Sequence, residues 1–221
     1  MNRLVFVGLF TEGSTDIRFL ESIVKRTLDE LAYDCKGQIE TDLLTLEVDK
    51  IGLGFVEQVK EASKKGLQDF GISILCVHTD ADNALKRIIK TKINPVLDDI
   101  KNYTNANCKD IVFIVPVQMV ESWMLADKDL FKTEINSNKR DIELGINQHP
   151  ENLTDPKQTI ENAIRIAKAD MTRRKRGKGI SISDLYQILG QKIELDVLSN
   201  LPSYMKFKKG LNQALRQLNY L

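Results

Sequence analysis

The run ISILCVH at 72–78 constrains the fold more than any other stretch. It is short, mostly aliphatic and nearly continuously apolar, where a half-exposed strand would alternate. That pattern is expected of a strand covered on both faces, the usual situation in a parallel sheet. Three further short runs are rich in β-branched residues: RLVFVGLF (3–10), DLLTLEV (42–48) and DIVFIVPV (110–117). Amphipathic helical patterns lie between them. The first, at 15–32, places Ile17, Leu20, Ile23, Val24, Leu28 and Leu31 on one stripe. The second spans 55–70. The third spans 83–103 and is expected to break or restart at Pro95. The β-α-β-α-β-α-β order predicts an α/β fold with a mostly parallel, four-stranded, Rossmann-like sheet flanked by helices.

Past residue 119 the strand signals stop. HPENLTDPK (149–157) is turn-rich, and helices are expected over 156–169, 181–193 and 201–221, with a basic loop at 171–179. These divisions give an α/β core over 1–130 and a small helical C-terminal extension over 131–221. The extension carries apolar positions Leu198, Leu201, Tyr204, Phe207, Leu211, Leu215 and Leu218. Burial against the sheet is one reading of them, and a docking face for a partner protein is the other. Trp123 and Tyr204 are expected in the core, with base stacking as the alternative.

Composition bounds the function. With 32 Lys and Arg against 31 Asp and Glu, the formal net charge is +1, so any affinity for nucleic acid must come from local patches. The three cysteines, Cys35, Cys76 and Cys108, have no C-x-x-C spacing and suggest neither a disulfide framework nor zinc. No segment approaches the length of a membrane span, and the sequence predicts a soluble, cytoplasmic protein.

In a parallel sheet the carboxyl ends of the strands share one edge, and ligands bind outside it. Acids gather where that edge is expected. Glu12 follows the first strand, with Asp16 in the next helical turn. Glu47 and Asp49 close the second, Asp80 and Asp82 follow the third, and Glu121 and Asp127 follow the fourth. Each alone is explained by a cap or by the helix dipole, with Ser14 or Thr15 as the first helix's cap. Together they make an acidic rim whose mutual repulsion a cation would relieve. A donor set of oxygens, in a chain with 2 His, favours Mg²⁺ or Mn²⁺ over zinc. His78 is expected to finish its strand, with contact to the site as the alternative.

The Glu-Gly after the first strand, the T-D-x-x-F-L that follows it and the D-x-D after a later apolar strand resemble the Toprim superfamily. That superfamily includes the catalytic cores of topoisomerases, primases and overcoming-lysogenization-defect (OLD) type nucleases. VESWMLAD, HPENLTDPK and the last helix resemble a bacterial Toprim-like family of unassigned function. The resemblance implies that Glu12 is a general acid/base or metal ligand and that Asp80 and Asp82 hold Mg²⁺. Catalytic Glu12, Asp80 and Asp82, and a metal set of Glu12, Asp80, Asp82, Glu121 and Asp16, are therefore the expected site.

A chain of 221 residues leaves no room for a topoisomerase's tyrosine domain or a primase's accessory modules. RGKGIS lacks the first Gly of a P-loop. Mg²⁺-dependent cleavage of DNA or RNA is the expected activity, with a non-catalytic Toprim-like binding module as the alternative. A haloacid-dehalogenase-like phosphatase would want its aspartates after the first strand, not the third. Arg173, Arg174, Lys175, Arg176 and Lys178 are the expected phosphate contacts, helped by Lys206, Lys208 and Lys209; the basic loop reads equally as a solvated linker. In OLD-type relatives an ATPase precedes the Toprim part. Its absence here suggests a separately encoded ABC/AAA-type ATPase that restrains the nuclease until a signal such as phage infection.

Overall fold

The structure is a computed structural model that describes residues 3–102, 108–169 and 180–221. The expected phosphate contacts at 173–178 lie outside the described residues.

Four strands, β1 (Arg3–Thr11), β2 (Ile39–Thr45), β3 (Ile74–His78) and β4 (Asp110–Ile114), form one sheet in the order β2-β1-β3-β4. Every pairing is parallel. Thr11 is in register with His78, and His78 with Ile114, so the carboxyl ends of the three strands finish level. The order also fixes where the chain changes direction. After β1 it steps outward to β2, then returns across β1 to β3, leaving a crevice between the ends of β1 and β3. That is the topological switch point, where open α/β sheets bind their ligands.

The sheet is covered on both faces. On one, Phe10, Leu75 and Val77 pack with Val59 and Ala62 of α2 (Phe55–Phe70) and with Val96 and Ile100 of a later helix. On the other, Val5, Val7, Leu9, Cys76 and Ile114 pack with Phe19, Leu20, Ile23 and Leu28 of α1 (Ser14–Tyr33). The continuous apolar runs are therefore what two-sided burial selects. β2 is the exception. The ladder begins at Ile39, ahead of the apolar run at 42–48, because the first residues of β2 alternate between half-buried and exposed. Leu46, just beyond it, is the buried residue of that run.

The third helical region divides as α3 (Leu85–Ile88), a π-helical turn (Ile89–Ile93) and α4 (Asn94–Asn102). Pro95 lacks the N–H that would continue the ladder, and the wider π turn lies immediately before it. After β4 come α5 (Glu121–Met124), α6 (Lys128–Glu134), α7 (Asp141–Leu144), a 3₁₀ turn (Pro150–Asn152), α8 (Pro156–Ala169), α9 (Ile182–Lys192), α10 (Leu195–Leu198) and α11 (Pro202–Gln217).

These later helices share the core of β1 and α1, with no break near residue 130. Of the apolar positions that could have formed a docking face, Leu198, Leu201, Tyr204, Phe207, Leu211 and Leu215 are at most 2 % exposed. Leu218 packs against the same core. Burial against the sheet side is the reading the structure bears out. Trp123 and Tyr204 are fully buried, edge to face at 5.5 Å, and neither is placed to stack a base. No helix of the described residues is long and apolar enough to cross a membrane.

Candidate functional site

β1 ends at Thr11, and the next residue, Glu12, overhangs the switch point. Its backbone is pinned by Lys50, whose Nζ donates to the carbonyls of Thr11 (2.9 Å) and Glu12 (2.7 Å). Its carboxylate faces β3: Thr79 Oγ1 donates to Oε2 at 2.5 Å. Lys92 Nζ lies 2.6 Å from Oε1 and 2.7 Å from Oε2, and also donates to Thr79 Oγ1 at 2.9 Å. Lys92 comes from the π-helical turn, a local irregularity common at functional sites.

The expected cap of α1, Ser14 or Thr15, is not what is found. Gly13 is the N-cap, and the Asp16 carboxylate reaches back to the Gly13 backbone. A side chain at residue 13 would meet Asp16 Oδ2 at 2.7 Å, which accounts for the glycine. Asp16 is only partly a capping residue, because it also faces the third strand. His78 Nδ1 lies 3.5 Å from Asp16 Oδ2, while His78 Nε2 is hydrogen-bonded to Asp80 Oδ1 at 3.2 Å. His78 is wholly buried between the two carboxylates, so it belongs to the site and does more than finish a strand.

Loop-to-loop hydrogen bonds fix Asp80 in place. Thr79, Ala81 and Asp82 donate their backbone N–H groups to the carbonyls of Ile114, Pro116 and Gln118 at 3.0–3.2 Å, laying the loop after β3 along the loop after β4. The chain then turns through Asp82 and Asn83, both left-handed at φ 46° and 55°. Asp and Asn tolerate that conformation better than other non-glycine residues. Asp82 is exposed, and its carboxylate has no partner among the described residues. The two aspartates of D-x-D thus differ: Asp80 joins the other acids and Asp82 serves the turn.

Glu121 opens α5 and is 5 % exposed. Tyr186 of α9 donates its hydroxyl to Glu121 Oε1. Gly190, one turn further on, allows this reach: a Cβ there would lie 2.6 Å from the Phe19 carbonyl oxygen, so only glycine lets α9 approach α1 so closely. Asp127, by contrast, caps α6 by accepting from Leu130 N at 2.9 Å, and Asp49 accepts from Ile51 N at 3.0 Å. Both are local structural acids. Glu47 is exposed beyond β2.

The electrostatics agree with this grouping. Burial raises the Asp16 carboxyl to about 6; the charges of Asp80 and Glu121 add to the rise, while His78 and the Gly13 backbone oppose it. Burial alone would lower the His78 imidazole. The hydrogen bond to Asp80 and the charges of Asp80, Asp16 and Glu12 outweigh it and hold His78 above its ordinary value. Burial, then the bond to Glu121, raises the Tyr186 phenol, which therefore stays a donor. The chain thus supplies partners of its own: Lys92 for Glu12, His78 for Asp80, Tyr186 for Glu121. Asp16 is the carboxyl left with too little compensation, and His78 Nδ1 beside it is buried without a hydrogen-bond partner.

Among the described residues no three His, Cys, Asp or Glu side chains form a ready-made metal cluster. The three cysteines are free. Sequence reasoning missed Thr79, Lys92 and Tyr186, which reach the acids from 67, 80 and 65 residues away in the chain. None of the family models, curated proteins or solved structures compared with the chain matches it.

Proposed function

We propose that the chain is a Toprim-like, metal-dependent hydrolase of phosphodiester bonds in DNA or RNA. One observation carries the reading: Asp16 and Asp80 flank the buried His78 at the switch point, within reach of the charges of Glu12 and Glu121, and burial, with Asp80 and Glu121 adding to it, raises Asp16 to about 6. The donor set fits a hard divalent cation, since every ligand would be a carboxylate oxygen. Glu12, Asp16 and Asp80, which do not form a ready-made cluster, would have to draw together to hold Mg²⁺ or Mn²⁺, with Glu121 beside them. When bound, the ion neutralises phosphate oxygens and lowers the pKa of a coordinated water.

The chain's own groups have complementary parts. Glu12, oriented by Thr79, takes the proton from the attacking water. Lys92, one hydrogen bond from Glu12, brings positive charge beside the scissile phosphate. A bond forms from the water oxygen to phosphorus as the bond to the leaving oxygen breaks; that oxygen takes a proton from solvent, and Glu12 returns the proton it received to solvent. His78 keeps Asp80 oriented, and Tyr186 keeps Glu121 oriented.

A second reading has its own support. Glu12 is already satisfied by Lys92 and Thr79, as it would be in a non-catalytic binding module that acts through a protein partner. An assay on plasmid, single-stranded DNA and transfer RNA with Mg²⁺ or Mn²⁺ separates the two. Cleavage by the wild type that falls about 10²- to 10⁴-fold in Glu12→Gln and Asp80→Asn supports the hydrolase. Binding without cleavage in either metal supports the module. Control by a separately encoded ATPase would need a surface other than the buried apolar positions of α10 and α11.

A further inference from the structure

The segment that brings Lys92 to Glu12 also presents a basic face outward. It begins just after the Asp80 loop and runs through α3 and the π turn, with Ile88 buried and Lys92 turned in. Lys86, Arg87 and Lys90 are exposed on the same segment. Among the described residues, none of these three side chains has an ion-pair or hydrogen-bond partner. The nearby acid Asp99 of α4 is already engaged by Lys60 at 3.5 Å.

Several other surface cations are paired: Lys25 with Asp29, Lys132 with Asp129 and Asp141, Lys192 with Glu134, and Lys208 with Glu30. Like charges three or four residues apart on a helix repel. Lys86 and Lys90, and Arg87 and Lys90, stand at those spacings, so folding stability does not account for them. A solvated face would need only mixed charge. Three unpaired cations beside a site read as acting on phosphodiesters are complementary to one class of partner, a polyanion whose charges recur along its length.

We propose that Lys86, Arg87 and Lys90 form a track for the phosphate backbone of nucleic acid, laying it across the crevice between β1 and β3 without reading its sequence. The proposal rests on the hydrolase reading and extends it by naming the surface that holds the substrate. The track is distinct from the basic run at 171–179 and predicts a separate share of the binding.

The test is binding of a labelled single strand, two duplexes of unrelated sequence and a transfer RNA, followed by fluorescence anisotropy as salt is raised from about 50 to 200 mM. The variant replaces Lys86, Arg87 and Lys90 with Ala and leaves 171–179 intact. Its slope of log K against log salt should be shallower by about 2–3 for every probe, with affinity lost alike across sequences. Lys90→Glu alone, a single exposed charge reversal, should move affinity in the same direction and guards against a folding defect in the triple variant. A wild-type protein that binds, with an unchanged slope in both variants, overturns the track while leaving the hydrolase reading intact. A wild type that binds none of the probes at the lowest salt overturns both. Binding to anionic lipid vesicles in place of nucleic acid, weakened by the same substitutions, overturns the track as a nucleic-acid surface.

Discussion

Two buried polar clusters lie on opposite sides of Trp123 in the chain, and they are built to opposite rules. Beneath α11, Glu151 is 8 % exposed and accepts from Ser203 N at 3.1 Å and from the Ser203 hydroxyl, which in turn accepts from Trp123 Nε1 at 2.7 Å. Every group there has its partner. At the switch point, Asp16 is left undercompensated and a nitrogen of His78 is unpartnered. Burial costs a polar group little when its hydrogen bonds are closed and a good deal when they are not. A closed cluster serves the fold, and an open one at a ligand-binding edge is the mark of a site. The comparison also identifies which acid bears the cost. Glu12 has Lys92 and Asp80 has His78, while Asp16 is raised first by burial and then by the charges of Asp80 and Glu121.

The largest effect should come from breaking the closed cluster. Glu151→Ala leaves the Ser203 hydroxyl and N–H without their acceptor, and unfolding in urea should show a loss of about 3 kcal/mol. A loss below about 1 kcal/mol would mean that water replaces the carboxylate and that the cluster is not closed. The open cluster should respond in the other direction to a cation. Mn²⁺ at about a hundred times its Kd should stabilise the fold by about 2.7 kcal/mol, seen as a rise in Tm, and Asp80→Asn should remove the response. A wild-type melting curve unmoved by millimolar Mn²⁺ would count against a preformed site.

Asp16→Asn should give the smallest change, and it depends on pH. The folded carboxyl, at about 6, sits above its ordinary value of 3.8, so the folded protein binds this proton more tightly than the unfolded chain does. Stability is therefore fully present below about pH 4 and falls as pH rises through 6. A shift of about two units corresponds to roughly 3 kcal/mol, an upper bound for the gain because Asn is itself a polar group to bury. Asn keeps the contact with the Gly13 backbone and should gain about 1–2 kcal/mol at pH 7 and nothing at pH 4. Equal stability of the two proteins at both pH values would remove the argument that burial and neighbouring charge disfavour the Asp16 carboxylate.

The sheet was legible in the sequence because three of its strands are buried on both faces and declare it through continuous apolar runs. β2 was misplaced by three residues at its start because its first residues alternate between half-buried and exposed, and the neighbouring apolar run ending at Val48 drew the boundary forward. In the site, Glu12, Asp16, Asp80 and Glu121 could be anticipated because a parallel sheet brings strand ends to one edge. Asp82 could not be told from Asp80, since one aspartate's turn conformation leaves no trace in spacing. Lys92 and Tyr186 were out of reach for another reason. Their contacts depend on a π turn that rotates one helix and on a glycine that lets another come close, and neither is written near the acids.

The clasp between β1 and the residues after α11 has a consequence for synthesis. Lys36 donates its N–H to the Tyr220 carbonyl at 2.9 Å, the Arg3 guanidinium lies 4.1 Å from the Tyr220 ring centroid, and α11 buries Tyr204, Phe207 and Leu211 in the core that β1 and α1 began. Contacts so distant in sequence are the slowest to form. As the chain leaves the ribosome, β1 and α1 emerge first with the apolar surroundings that α9 and α11 supply still unmade, and Glu121 has no Tyr186 until α9 follows. The acids are therefore all synthesised well before the buried hydrogen bond that orients Glu121 can form, so a nascent chain would carry the pieces of this site before it carried the site itself.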